Sequence, residues 1–119
     1  VSADTCYCDW GIECSVYNKT RPIAKKDHRC SECASDIKKG ERYERVFGVW
    51  EGYPNTYKTC VNCLVVRDSI TAVADCFCWQ HEGLFENISE WLESVRLKAG
   101  VRFSIYRLLV DHKRQTAVN

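Results

Sequence analysis

Residues 28–68 read HRCSECASDIKKGERYERVFGVWEGYPNTYKTCVNCLVVRD, and this stretch decides how the rest of the chain is arranged. It holds two Cys-x-x-Cys pairs, Cys30/Cys33 and Cys60/Cys63. Each pair bends its own backbone so that both sulfurs face one ion, and two such pairs make a four-thiolate site of the kind that holds structural zinc. The intervening segment must leave the metal and return. Ile37-Lys-Lys-Gly40 reads as a turn, ERYERVFGVW as a strand rich in aromatic and β-branched residues, and Glu51-Gly52-Tyr53-Pro54-Asn55 as a second turn. Thr56–Thr59 then returns toward Cys60. Simple alternation puts Tyr43, Arg45, Phe47 and Val49 on one face of the first strand, with Gly48 a candidate bulge. Residues 61–75 follow as a helix with a stripe of Leu64, Val65, Ile70 and Val73. Knuckle, hairpin and helix in that order form a treble clef.

Nine cysteines in 119 residues are the outlier of the composition. Eight fall into close pairs: Cys6/Cys8, Cys30/Cys33, Cys60/Cys63 and Cys76/Cys78. Such spacing suits metal ligation better than disulfides, which usually join residues far apart in sequence. Cys76 and Cys78 pair with Cys6 and Cys8, the remaining close pair, as a second four-thiolate site, with His81 as a substitute ligand. The expectation is two structural zinc ions. Four thiolates close a site and leave no position for water, whereas catalytic zinc keeps one open. Cys14 lies on the apolar side of a short alternation, Ile12, Cys14 and Val16, and reads as a buried thiol.

The remaining composition is that of a folded domain. The chain is 45% hydrophobic and 28% charged with a formal charge of +1, so no strong overall field draws it to nucleic acid or anionic lipid. No stretch approaches the roughly 20 apolar residues of a membrane span. The N-terminus has no apolar signal core, which points to the cytoplasm. Residues 1–119 read as a single α+β domain: a metal-binding region, 1–85, and a helical region, 86–119.

The helical region shows opposite charges in its two halves. Asn87-Ile-Ser-Glu90 fits a capping box, and Ile88, Trp91, Leu92 and Val95 follow at helical spacing, with Gly100 as the stop. Val101, Ile105, Leu108, Leu109 and His112 fit the face of a second helix, and a strand through Val101, Phe103 and Ile105 is the alternative. Residues 75–95 hold acids but no Lys or Arg; residues 96–114 hold bases and one acid, Asp111.

Candidate contacts for a partner or nucleic acid are Lys25, Lys26, Arg29, Arg42 and Arg45 from the basic approach and hairpin, with Trp50 and Tyr53 as aromatic contacts. No catalytic constellation accompanies them. His28 precedes Cys30, yet residues 64–75 offer no His or Asn for a nuclease metal.

The run K-x-H-R-C-x-E-C-x-x-x-I-K-x-G-E-R-Y-E-R-V-F-G-x-W-E-G, followed by K-T-C-x-x-C-L-x-x-R-D and C-F-C-W-x-H, resembles small cysteine-rich proteins encoded by tailed phages and prophages. The resemblance covers roughly residues 25 to 85. It implies zinc held by Cys30, Cys33, Cys60, Cys63, Cys76 and Cys78, in a protein working in the bacterial host cytoplasm. More distantly, Cys30-x-x-Cys33-x-x-x-Ile37-x-x-Gly40 before a Trp-bearing strand is similar to the zinc finger of poly(ADP-ribose) polymerases, with Cys60 where that family has histidine. The expected function is a zinc-stabilised accessory protein that binds and modulates or inhibits a host protein, for instance as counter-defence against a CRISPR complex. A zinc-finger DNA- or RNA-binding protein is the alternative; a metal-dependent nuclease or thiol oxidoreductase ranks below both.

Overall fold

The computed structural model describes residues 14–74 and 76–117. Its elements run β1 (Cys14–Thr20), β2 (His28–Arg29), β3 (Asp36–Ile37), β4 (Tyr43–Trp50), β5 (Tyr53–Cys60), α1 (Val61–Val73), α2 (Leu84–Ser94) and α3 (Ala99–Ala117). The fold is α+β. An antiparallel sheet of order β1-β4-β5 carries the first helix at its end, and β2 and β3 form a separate two-stranded ribbon. Among the described residues no helix is long and apolar enough to cross a membrane.

The β4–β5 hairpin turns on two residues, Glu51 and Gly52, with φ of 51° and 84°. Positive φ at both central positions is the type I′ combination whose twist matches paired strands. The turn is therefore tighter than its Gly-Tyr-Pro-Asn chemistry suggests, and Tyr53 and Pro54 already pair with Trp50 and Val49.

The buried face of β4 is also not the one that alternation selects. Glu44, Val46 and Gly48 are buried, whereas Arg45 is exposed and Phe47 and Val49 only half-buried; Tyr43 is buried from the other parity. Gly48 is paired regularly, and the register shift lies between Cys14 and Val16 of β1. Gly48 serves packing instead. The Trp50 indole folds back over it, and a Cβ there would meet Trp50 ring atoms at 2.4–2.8 Å.

α1 buries Cys63, Leu64, Val66, Arg67 and Ile70, while Val65 and Val73 are each 50% exposed. Half of the expected stripe thus faces solvent. The reason is Arg67, which takes an inward position that its charge would not advertise. Its guanidinium donates to both oxygens of Glu44 at 2.8 and 2.7 Å and lies 4.6 Å from the Trp79 ring centroid. Burial alone would raise the Glu44 carboxyl, but the Arg67 hydrogen bonds and charge outweigh it and hold that group below the usual carboxylate range.

α2 begins at Leu84, three residues before the Asn87 that the capping-box pattern marks as its start. Gly83 is the cap residue and makes no side-chain cap; Asn87 Oδ1 instead accepts the Gln80 N–H at 2.8 Å. α2 ends at Ser94, and Gly100 falls within α3 rather than stopping α2. The strand alternative for residues 101–105 is excluded by α3. Ile105 and His112 are buried, and Val101, Leu108 and Leu109 pack against the core. Leu84, Ile88 and Leu92 bury the facing side of α2, each contributing about 2 kcal/mol by the area it removes from water.

Candidate metal centre

Four elements converge on one point. Cys30 and Cys33 flank the turn between β2 and β3; Cys60 ends β5; Cys63 lies in the first turn of α1. The backbone closes the knuckle through Ala34 N–H to Cys30 O at 3.0 Å and Cys30 N–H to Ser35 O at 2.9 Å, with Ala34 at φ 63°. The left-handed residue lets the chain reverse within one turn, bringing both knuckle sulfurs to the same side.

The four sulfurs all lie within 4.8 Å of one another and could hold a metal ion. Cys30 Sγ is 3.8 Å from Cys63 Sγ, and Cys33 Sγ is 3.7 Å from Cys60 Sγ. A tetrahedron with metal–sulfur bonds of about 2.3 Å has an edge of about 3.8 Å. The geometry fits zinc, and the spacing is far beyond the roughly 2.05 Å of a disulfide.

The electrostatics ask for a cation as well. Cys33 is pushed below the ordinary thiol range by its contacts with Cys30, Cys60 and Cys63. The Cys33 contact raises Cys30, but Cys60 and Cys63 lower it further, to about 6. Cys60 and Cys63 are both pushed up, first by Cys30 and Cys33. Four adjacent sulfurs cannot all carry charge by themselves, so ionising two of them opposes ionising the others. A divalent cation removes that conflict and favours four thiolates.

Hydrogen bonds dress the cluster. Cys30 Sγ accepts from the Glu32 and Cys60 backbone N–H groups at 3.4 and 3.3 Å. Cys33 Sγ is 2.8 Å from Ser35 Oγ, and Cys63 Sγ is 3.2 Å from His112 Nε2. Such bonds draw charge off the sulfurs and orient them. His112 reads in the sequence only as one position of an apolar helical face. It is 6% exposed, with its ring 4.7 Å from that of Phe85.

Glu32, inside the first pair, ties the knuckle to the helical region. Its carboxylate accepts the backbone N–H of Glu82 at 2.9 Å and of Leu84 at 3.1 Å, which caps α2 from a distant segment. Burial is the largest influence on this carboxyl and raises it, despite those two hydrogen bonds.

The other candidate ligands stand apart. Cys76 and Cys78 hold their sulfurs 3.8 Å apart, so they are not bonded to each other, although both sulfurs are in disulfides. A second ion there would require both in thiolate form. Cys6 and Cys8 lie outside the described residues, as does the side chain of Cys14. His81 sits among aromatic rings: stacked on Tyr57 at 4.6 Å and 5°, edge-on to Trp79 at 4.9 Å, with Trp50 and Tyr17 at 6.2 and 6.3 Å. Its Nδ1 is buried with no hydrogen-bond partner among the described residues, and burial lowers its pKa to about 4.

The expected contact residues divide. Lys25, Lys26 and Arg29 are exposed on and beside β2, and Arg45 is exposed on β4. Arg42 is also exposed but donates to the Arg21 carbonyl at 2.7 Å. Tyr53 is 73% exposed at the hairpin tip. Trp50 is half-buried against Tyr17, Tyr57 and His81, so its indole belongs to the aromatic cluster rather than to an open surface. Against family models, curated proteins and solved structures alike, the chain has no match.

Proposed function

We propose that this protein is a zinc-stabilised binding module, encoded by a phage and acting in the host cytoplasm, that docks on a host protein to modify or block it. Interference with a defence complex such as a CRISPR effector is the version we favour. The observation that carries the non-enzymatic reading is the dressed four-sulfur cluster. Its donors fill the tetrahedron, and hydrogen bonds from Glu32, Cys60, Ser35 and His112 reach three of the four sulfurs. Such a centre serves as scaffold, because it presents no open position for a substrate and its thiolates are damped as nucleophiles. We assign it one zinc; a second, held by Cys76 and Cys78 with Cys6 and Cys8, is proposed only for the reduced chain, because it needs the disulfides of Cys76 and Cys78 opened.

Affinity capture from host lysate with the zinc-loaded chain tests the partner. One host protein retained reproducibly, and released by substitutions on the exposed surface, supports the reading. Metal analysis under reducing conditions reads the stoichiometry: two zinc ions per chain support both sites, and one confines zinc to the Cys30 cluster.

A second reading, nucleic-acid binding, draws on the β2–β3 ribbon. Lys25, Lys26, Arg29, Lys38 and Lys39 are all exposed along it, and Lys58 Nζ lies 3.2 Å from His28 Nδ1. Slight burial and then the Lys58 and Lys26 charges lower the pKa of His28. Salt-sensitive retention of DNA or RNA would favour this reading; no retention at low salt would end it.

A further inference from the structure

α2 and α3 run antiparallel, because Phe85 near the start of α2 meets His112 near the end of α3, while Arg102 near the start of α3 donates to Leu92 and Val95 carbonyls at 3.3 and 3.0 Å. Between them lies an open groove of about 660 Å³. Its floor is apolar, with Phe85, Ile88, Leu92 and Leu109, and it reaches Cys33 and His112 of the metal centre. On the α3 side the apolar surface continues outward: Phe103 is 65% exposed, and Tyr106 and Val110 are each 48% exposed. A helix that leaves Phe, Tyr and Val in a row at i, i+3 and i+7 presents one apolar stripe to solvent.

The two rims carry opposite charge. On α2, Glu86 and Glu93 stand two turns apart beside the groove, with Glu90 between them; all three are exposed. On α3, Arg107 and Arg114 stand two turns apart beyond the stripe and are also exposed. No ion pair among the described residues joins any of these five. An occupant must therefore bring an apolar stripe with a basic flank for one rim and an acidic flank for the other. This chain has that pattern on this same face.

We propose that the α2–α3 face pairs with a second copy of this chain about a two-fold axis running along the groove. That rotation lays the α3 of one protomer against the α2 of its partner, antiparallel, and gives a four-helix arrangement in which every neighbour runs opposite. It preserves position along the axis. The Phe85–His112 and Leu92–Arg102 contacts set the register, which brings Arg107 of one protomer level with the acidic run 86–93 of its partner and Arg114 near the start of that run. The stripe of Phe103, Tyr106 and Val110 closes the partner's groove. A two-fold axis across the groove would instead set acid on acid, so the charges select one orientation. The pairing does not depend on the host partner proposed above.

The test uses the zinc-loaded full chain in light scattering and sedimentation across a concentration series. A dimer is expected. Glu86→Arg with Glu93→Arg, and separately Arg107→Glu with Arg114→Glu, each reverse the net charge of one rim, Glu90 and Lys113 being left in place, and weaken self-association at least tenfold, with the melting temperature kept. Mixing the two variants restores a dimer, now mixed, because one copy brings two basic rims and the other two acidic ones. Phe103→Glu abolishes pairing in any mixture. A chain that stays monomeric at every concentration overturns the proposal. So does a dimer indifferent to both reversals, or a failure of the mixture to pair.

Discussion

His112 Nε2 lies 3.2 Å from Cys63 Sγ across a sequence separation of 49 residues, and this contact fastens the last helix to the metal centre. It joins the helical region to the metal-binding region: α3 places His112 against a sulfur that α1 presents.

Replacing His112 with Ala should therefore weaken zinc binding about tenfold or more, as loss of an outer-shell partner does. His112→Gln, whose amide can still donate, should recover some of the loss. Competition with a chromogenic chelator reads both. Equal affinity for all three proteins would reduce His112 to a packing residue.

Metal removal should unfold the chain as a whole, because an ion on the four sulfurs would bind the knuckle to the end of β5 and the start of α1 more strongly than the few hydrogen bonds between them, and zinc binding supplies folding energy. Chelation should collapse the far-ultraviolet circular dichroism and abolish a cooperative melt, and zinc should restore both. A chelated protein with an unaltered melt would show that the sulfur cluster is dispensable.

Glu32→Ala should strip α2 of its N-terminal cap at a cost of about 1–2 kcal/mol. The damage should be local. Hydrogen exchange of the Glu82 and Leu84 amides should accelerate while β4 and β5 stay protected, and uniform acceleration would contradict a capping role.

Arg67→Leu strips the buried Glu44 carboxylate, 0% exposed, of both its hydrogen bonds and leaves it only the half-exposed Arg21 guanidinium at 3.6 Å, and should cost about 3 kcal/mol. Pairing it with Glu44→Leu should return much of that, since two apolar side chains of similar volume carry no buried charge. Denaturant unfolding of the single and double variants measures the coupling. Additive losses would mean that the ion pair contributes nothing of its own.

Stability should fall on mild acidification because of His81. Its folded pKa, about 4, lies below the ordinary 6.5, so protons bind the unfolded chain more readily. The stabilisation is complete above 6.5 and is lost as pH falls toward 4. By pH 5 the loss should be about 1 kcal/mol after allowing for partial exposure. His81→Phe keeps a ring against Tyr57 and should flatten the profile between pH 6.5 and 5. An unchanged slope in that variant would place the acid sensitivity elsewhere.

Much of the metal centre is legible from residue order, because Cys-x-x-Cys is a local geometry: two residues between thiols are enough to aim both at one point. The hairpin is legible in outline for a similar reason, since Glu51-Gly52 can adopt positive φ with no help from the rest of the fold. The faces of β4 and α1 are not. Both parities of ERYERVFGVW hold apolar groups, and the inward parity is chosen by Arg67 reaching Glu44 and by Trp50 folding over Gly48. The start of α2 escapes a local reading because Asn87-x-x-Glu90 fits a local cap, whereas the actual cap is a carboxylate 50 and 52 residues away from the amides it holds.

By itself, then, the sequence determined that four cysteines in two tight pairs can close on one point fit for a metal ion and that a hairpin and helix lie between and after them, since those are short-range matters of spacing and backbone freedom. Tertiary structure alone decided that His112 guards Cys63, that Glu32 starts α2, and that the acidic and basic helices, whose charges the sequence already separates, flank an open groove. These depend on where helices from distant stretches of the chain come to rest, and no local pattern encodes that.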